Sequence, residues 1–242
     1  MRSLIFAALL LAAPLCAQGV NLAAPDRPAD EVKLDASRKP LEMMAFSKVK
    51  PGDTVLDVIA GDGYYSRLYA QAVGPKGAVV ALLPPGYFDE ATFEPGWKAL
   101  IAAHPNVRFV KAQLADAELP KGVDLTVFHL VYHDLYWESA KYKFPRMDPA
   151  AFLTKLYAAT DKGGRVLVID HVAPAGSDVR AFVEKTHRID PAVIKADFAK
   201  AGFVLDGESD LLRTPGDDLN LLVFNPAVRG KTDRVVYRFV KK

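Results

Sequence analysis

Thiols are almost absent from this chain. Cys16 is the single cysteine among 242 residues, and it lies in an N-terminal stretch that reads as removable. Once that stretch is cleaved, no disulfide, thiolate metal site or cysteine nucleophile is available to the fold. A dominant charge is missing too, since 31 Lys and Arg face 29 Asp and Glu for a formal net charge of +2. That balance provides no basic field for a phosphate backbone, which excludes nucleic acid as a partner. The apolar run from Leu4 to Leu15 is too short to span a bilayer, so no membrane span is expected. Internal repeats and low-complexity tracts are likewise absent. What remains is half apolar and a quarter charged, enough for one substantial core.

The N-terminus carries a positive residue, Arg2, then the short apolar run, then Leu15-Cys16-Ala17 ahead of Gln18. This order predicts a secretory signal peptide over residues 1–17 and an exported, periplasmic protein. Lipid anchoring at Cys16 is the alternative, although the large Leu15 precedes the cysteine where such sites carry a small residue. Residues 18–34 mix Ala, Pro, Asp and Arg without periodicity and read as an extended leader. Residues 35–242 then read as a single domain.

Strands are expected at Thr54–Val58, Ala78–Leu83, Asn106–Lys111, Asp124–Leu130 and Arg165–Ile169, and the apolar runs Ala78–Leu83 and, apart from Thr126 and His129, Asp124–Leu130 suit a sheet covered on both faces. Helical spacing separates them, and the two clearest helix starts are Asp148-Pro149 and Asp190-Pro191. Short strands are expected at Phe203–Leu205, Leu219–Phe224 and Val235–Val240, the last two without an intervening helix. Strand and helix alternation with a hairpin-like end predicts a parallel sheet carrying an antiparallel edge, an α/β architecture.

The chain is organised around Val55 to Ser66, which reads VLDVIAGDGYYS: a strand ending at Asp57, a turn through Gly61 and Gly63, and a helix start. Such a turn brings backbone N–H groups and a helix N-terminus against a cofactor. Gly61-Asp62-Gly63-Tyr64-Tyr65-Ser66 lacks the third glycine of a dinucleotide loop. Together with Asp57, Lys50-Pro51-Gly52, Val107–Val110 and Lys162-Gly163-Gly164-Arg165, it resembles the class I S-adenosylmethionine-dependent methyltransferases. His187-Arg188-Ile189-Asp190-Pro191 and Arg229 to Arg234 resemble an exported bacterial branch of predicted methyltransferases.

That resemblance implies a doubly wound, mostly parallel, seven-stranded sheet with an antiparallel edge, and S-adenosylmethionine as cofactor. It implies cofactor contacts at Asp57, Gly61, Asp62, Gly63, Tyr64 and Gln113. The chain departs from the pattern at Ile59, which replaces a glycine with a β-branched residue disfavoured in left-handed turns. It departs again at Ala81 to Pro85, which carries no acid for the ribose hydroxyls.

Ligands in open α/β sheets sit beyond the carboxyl ends of the strands. The residues there are Tyr132, His133 and Asp134 after the fourth strand, and Asp170 and His171 after the fifth. His133 is the candidate base, with Asp134 orienting it or holding substrate. Tyr132, Asp170, His171 and His187 are candidate substrate-pocket residues. His129, inside an apolar run, reads as a hydrogen-bonded core histidine. Tyr64, Tyr65, Tyr132, Tyr136 and Trp137 offer an aromatic wall for a planar substrate. Imidazoles and carboxylates in this number suit a divalent ion, but no ligand spacing specifies one and no metal ligand is assigned.

The expected function is methylation of a small molecule in the cell envelope. The alternative is an envelope binding protein on the same fold that holds a metal or an aromatic ligand without chemistry. A nucleotide-dependent oxidoreductase is disfavoured by Ser66 and by the acid-free end of the second strand.

Overall fold

The computed structural model describes residues 19–87 and 90–242. The signal-peptide reading lies outside the described residues. Seven strands form one sheet in the order β3-β2-β1-β4-β5-β7-β6: β1 Thr54–Val58, β2 Ala78–Leu83, β3 Val107–Lys111, β4 Val123–His129, β5 Thr160–His171, β6 Val204–Ser209 and β7 Arg234–Val240. The first five pair in parallel, while β7 runs antiparallel to both β5 and β6. The expected mostly parallel sheet with an antiparallel edge is therefore present.

Alternation along the strands divides the core in two. Leu56, Val58, Val80 and Phe128 face one side with Phe152 of α5 (Pro149–Ala159) and Phe198 of α7 (Pro191–Lys200). Val55, Val79, Val127 and Leu167 face the other with Leu68 and Tyr69 of α3 (Tyr64–Val73) and Met43 and Met44 of α2 (Pro40–Ser47). Asp148 and Asp190 cap α5 and α7 as expected, each accepting from the backbone N–H two residues on. Strand order reverses between β1 and β4, with β2 on the far side of β1 and β5 on the far side of β4. That switch point opens the crevice in which a ligand sits.

Two readings of the sequence need correction. Part of the leader is α1, Ala29–Arg38, whose buried partners are ionic: Arg67 Nε lies 3.2 Å from Glu31 Oε2, and Arg27 Nη2 lies 2.7 Å from Asp35 Oδ1. Residues 219–224 are turns, and β6 takes the edge position beside β7. The fully buried Arg188 fixes the preceding loop, bonding Asp217 Oδ2 at 2.7 Å and donating to the Leu221 carbonyl at 2.9 Å. Val223 N donates to the Thr186 carbonyl at the end of α6 (Val179–Thr186). The apolar run thus becomes a wall beside the crevice. Among the described residues no helix is long and apolar enough to cross a membrane.

Candidate active site

Asp57, next to last in β1, has its side chain buried, and Ser66 Oγ donates to its Oδ2 at 2.6 Å. Burial pushes this carboxyl up to about 7; the Ser66 bond opposes the rise, Asp62 adds to it and Arg38 opposes it. The chain then turns through Ile59 at φ 53° and Gly61 at φ 58°. Ile59 adopts the left-handed conformation its side chain disfavours, a strain held by the surrounding fold. Trp97 Nε1 donates to the Gly61 carbonyl at 3.1 Å, and Ala60 N donates to Leu82 O. A Cβ on Gly61 would meet nothing within 4 Å, so this backbone faces open space. Gly63, at φ 90°, is different: a Cβ there would lie 2.5 Å from Leu100 Cδ1.

Above this turn lies a cavity of about 220 Å³ lined by Arg38, Asp57, Ile59, Gly61, Asp62 and Tyr64, among others. Arg38 comes from the end of α1, its guanidinium 4.3 Å from the centre of the Tyr64 ring. Tyr64 Oη donates to Asp35 at 2.6 Å. A second cavity, about 780 Å³, shares Ile59, Gly61, Leu130 and Val131 with the first. Tyr87, Phe93, Trp137, Tyr142 and Phe224 give it aromatic sides.

A polar cluster closes one end of the larger cavity. Asp170, fully buried at the end of β5, accepts from His133 N through Oδ2 at 2.8 Å and from His171 N through Oδ1 at 2.7 Å. Its Oδ1 also lies 2.8 Å from His133 Nδ1. His133 Nε2 therefore points away from Asp170, 3.2 Å from His187 Nδ1 and 3.4 Å from Asp134 Oδ1. Burial opposes charge on His133, but Asp170 and Asp134 outweigh it and hold the imidazole up to about 9. Burial lifts Asp134 to about 6 against the neighbouring imidazolium, and burial with the His133 charge pushes His187 down to about 4. Among the described residues Asp134 Oδ1 is buried without a hydrogen-bond partner.

Solved structures of other proteins agree at the level of architecture. A SAM-dependent methyltransferase from Aquifex aeolicus superposes with a TM-score of 0.59 at 21% identity, covering 88% of this chain and 98% of the other. A TehB-like SAM-dependent methyltransferase from Corynebacterium glutamicum matches at 0.51 and 15% identity, covering 85% and 87%. The 1,6-didemethyltoxoflavin-N1-methyltransferase of Burkholderia thailandensis, with bound 1,6-didemethyltoxoflavin and S-adenosylhomocysteine, matches at 0.55 and 14%, covering 88% and 80%. The chain has the class I methyltransferase fold. No protein-family model matches it, and no curated protein sequence does.

On this methyltransferase fold the expected site residues separate into three groups. Asp57, Gly61, Asp62 and Tyr64 line the smaller cavity, with Gly63 behind them as the N-cap of α3. His133, Asp134, His171 and His187 line the larger one. Three residues stand elsewhere. Tyr132 is fully buried, packs on Phe198 and donates to Asp197 Oδ2 at 2.9 Å. Gln113 donates to the Lys143 carbonyl at 2.9 Å and lines a separate surface depression. Asp170 lies behind His133 rather than in the cavity, and it is Asp170, not Asp134, that orients the imidazole.

Of the expected aromatic wall only Trp137 faces the larger cavity; Tyr64 and Tyr65 line the smaller one, and Tyr136 donates to Asp197. His129 also lines the smaller cavity, and among the described residues its buried Nε2 has no hydrogen-bond partner. Arg38, Tyr87, Phe93 and residues 222–224 were not foreseen. No periodic signal marks Arg38, and the apolar run 219–224 carries the same composition as an edge strand.

Proposed function

We propose that the protein is an exported S-adenosylmethionine-dependent methyltransferase acting on a small, flat, largely apolar acceptor in the cell envelope. The observation that carries this reading is the wall of Ile59, Gly61, Leu130 and Val131 common to both cavities. Cavities that share lining residues adjoin, so a methyl donor in one and an acceptor in the other would be brought together at that boundary, as in-line displacement requires.

The residues of the smaller cavity fit the amino-acid end of the cofactor. Asp57 offers a buried carboxylate with Ser66 as hydrogen-bond donor, suited to an ammonium, and Arg38 offers a cation to a carboxylate. The open backbone at Gly61 leaves room for close approach. The residues after β2, Pro84 to Tyr87, include no acid, so Tyr87 and Phe93 would meet the adenosine by stacking rather than by a carboxylate. When bound, S-adenosylmethionine supplies an electrophilic methyl group on a sulfonium.

In the larger cavity Trp137 and Phe224 hold a flat acceptor and exclude water around it. Asp134 Oδ1, the buried atom without a partner, takes the hydrogen bond and the proton of the acceptor nucleophile. Asp170 fixes His133 beside it. The Burkholderia methyltransferase bound to 1,6-didemethyltoxoflavin supports a small-molecule acceptor. The order of Arg2, the short apolar run and Ala17 supports export.

Calorimetry with S-adenosylmethionine and S-adenosylhomocysteine on the untagged protein tests the cofactor: both bind, and Asp57→Ala abolishes binding. Binding of neither ligand by the folded wild-type chain would sink the reading. A reporter fused to residues 1–19 tests export, with secretion expected and cytosolic retention refuting that part.

A further inference from the structure

His133, Asp134 and His187 reach one point from two places in the chain. The first two belong to the 3-10 turn Tyr132–Tyr136 after β4, and the third is the left-handed cap of α6. His187 is brought there because Ile189 pairs with the end of β5, its N–H donating to the His171 carbonyl at 3.0 Å.

The three facing atoms form a compact triangle. His133 Nε2 to His187 Nδ1 is 3.2 Å, His133 Nε2 to Asp134 Oδ1 is 3.4 Å, and His187 Nδ1 to Asp134 Oδ1 is 3.8 Å. Ligands at bond lengths of about 2.0–2.1 Å around a tetrahedral ion stand roughly 3.3 Å apart, whereas adjacent octahedral ligands stand roughly 2.9 Å apart. The observed edges suit the tetrahedral case.

Three further features suit a metal rather than a chance meeting of polar side chains. Asp134 has only 3% of its surface exposed, yet among the described residues its Oδ1 in this triangle has no hydrogen-bond partner. Leaving such an atom unpaired costs stability unless something else satisfies it. His133 Nδ1 is bound to a buried carboxylate, the arrangement that presents the opposite ring nitrogen to a metal and fixes the ring. All three side chains line the larger cavity, so the fourth position faces the space where the acceptor lies.

We propose that His133 Nε2, Asp134 Oδ1 and His187 Nδ1 bind one divalent transition-metal ion, with zinc the best match, and leave one coordination position open to the cavity. The donor set of two imidazoles and one carboxylate suits zinc and its first-row neighbours over magnesium or calcium. The site stands whether or not an adenosyl ligand occupies the neighbouring cavity. With the ion seated, its charge would make an acceptor hydroxyl at the open position more acidic, the proton leaving to solvent through the cavity mouth. Asp134 then serves as a ligand in place of taking the proton itself.

The test uses the untagged full chain stripped with a chelator and titrated with Zn²⁺ by calorimetry, in parallel with Co²⁺ followed by visible absorption. One equivalent of each ion binds, and Co²⁺ gives the intense bands of a four-coordinate centre. His187→Gln and Asp134→Asn abolish both signals, and Asp170→Asn weakens affinity about 10–100-fold. His104→Gln, whose ring pairs with Asp26 outside the site, changes neither. Circular dichroism establishes that each variant folds, and the partly exposed His187 keeps the test decisive should the buried positions not tolerate change. Absence of Zn²⁺ binding by the stripped, folded chain overturns the proposal, as does full binding by His187→Gln. Either result leaves adenosyl binding to be judged on its own titration.

Discussion

Asp170 holds His133 at two points, taking its backbone N–H through one carboxylate oxygen and lying 2.8 Å from its Nδ1 through the other. The same carboxylate takes the N–H of His171, so one buried side chain ties the turn after β4 to the end of β5. An amide in its place keeps one acceptor oxygen and loses the charge. Asp170→Asn is expected to lower the unfolding free energy by about 3 kcal/mol, the range for a buried charged group stripped of its bonds. Urea denaturation measures this. A change below about 0.5 kcal/mol would show that the contacts seen here carry no net stability.

Asp57 sets a pH dependence of stability. Its carboxyl, raised from 3.8 to about 7 by burial, is faced by Ser66, Asp62, Arg38 and the Tyr65 and Tyr69 phenols. The folded chain therefore binds this proton more tightly than the unfolded chain. The group's contribution is most favourable below about pH 4 and declines as pH rises through 7. Asp57→Asn removes the decline, so the variant without cofactor should melt several degrees above the wild type at pH 8 and near it at pH 4, at about 2–4 °C per kcal/mol for a chain this size. Melting curves at the two pH values decide it. A difference that does not grow with pH refutes the assignment.

Arg38 is predicted to act on the ligand more than on the fold. It is partly exposed and lines the smaller cavity. Arg38→Met should weaken S-adenosylhomocysteine binding about tenfold or more, as the loss of a charge-assisted bond of roughly 1.5–3 kcal/mol implies. Thermal stability should change little. Unaltered affinity by calorimetry would remove Arg38 from the site.

Ile59 offers a test of backbone strain. Alanine normally outranks glycine, but at φ 53° the Cβ is the liability. Ile59→Gly should be more stable than Ile59→Ala by about 1 kcal/mol, both falling below wild type through lost burial. The reverse order in urea would mean that the turn relaxes when the side chain is cut back.

Much of the fold could be read from residue order because the central strands are continuous apolar runs and the helix starts carry Asp-Pro caps. The sequence was less informative wherever tertiary contacts override local preference. Helix α1 has a thin apolar face and is held by Arg27, Arg67 and their carboxylates, a pattern without period. The run from Leu219 to Phe224 has strand-like composition, yet Arg188 and Thr186 pin it as a wall. Strand β6 reads VLDGES, exposed along most of its length, so its register against β7 leaves little trace in hydropathy. In the site, Asp57, Gly61, His133 and Asp134 were legible from their positions at strand ends. The sequence also marks His187 as a pocket candidate, but its distance from His133 could not be read there, because it depends on a bridge between residues 172 and 189.

Leu222 and Phe224 line the larger cavity while remaining 39% and 55% exposed. The recess thus has an apolar lip at the surface and its charged groups at depth. A molecule entering it is gauged by the end that goes in, and whatever trails past the lip is left unmeasured. Selection under this geometry favours a shared terminal group over a shared overall size, so compounds with the same head and very different tails should compete for the protein on nearly equal terms.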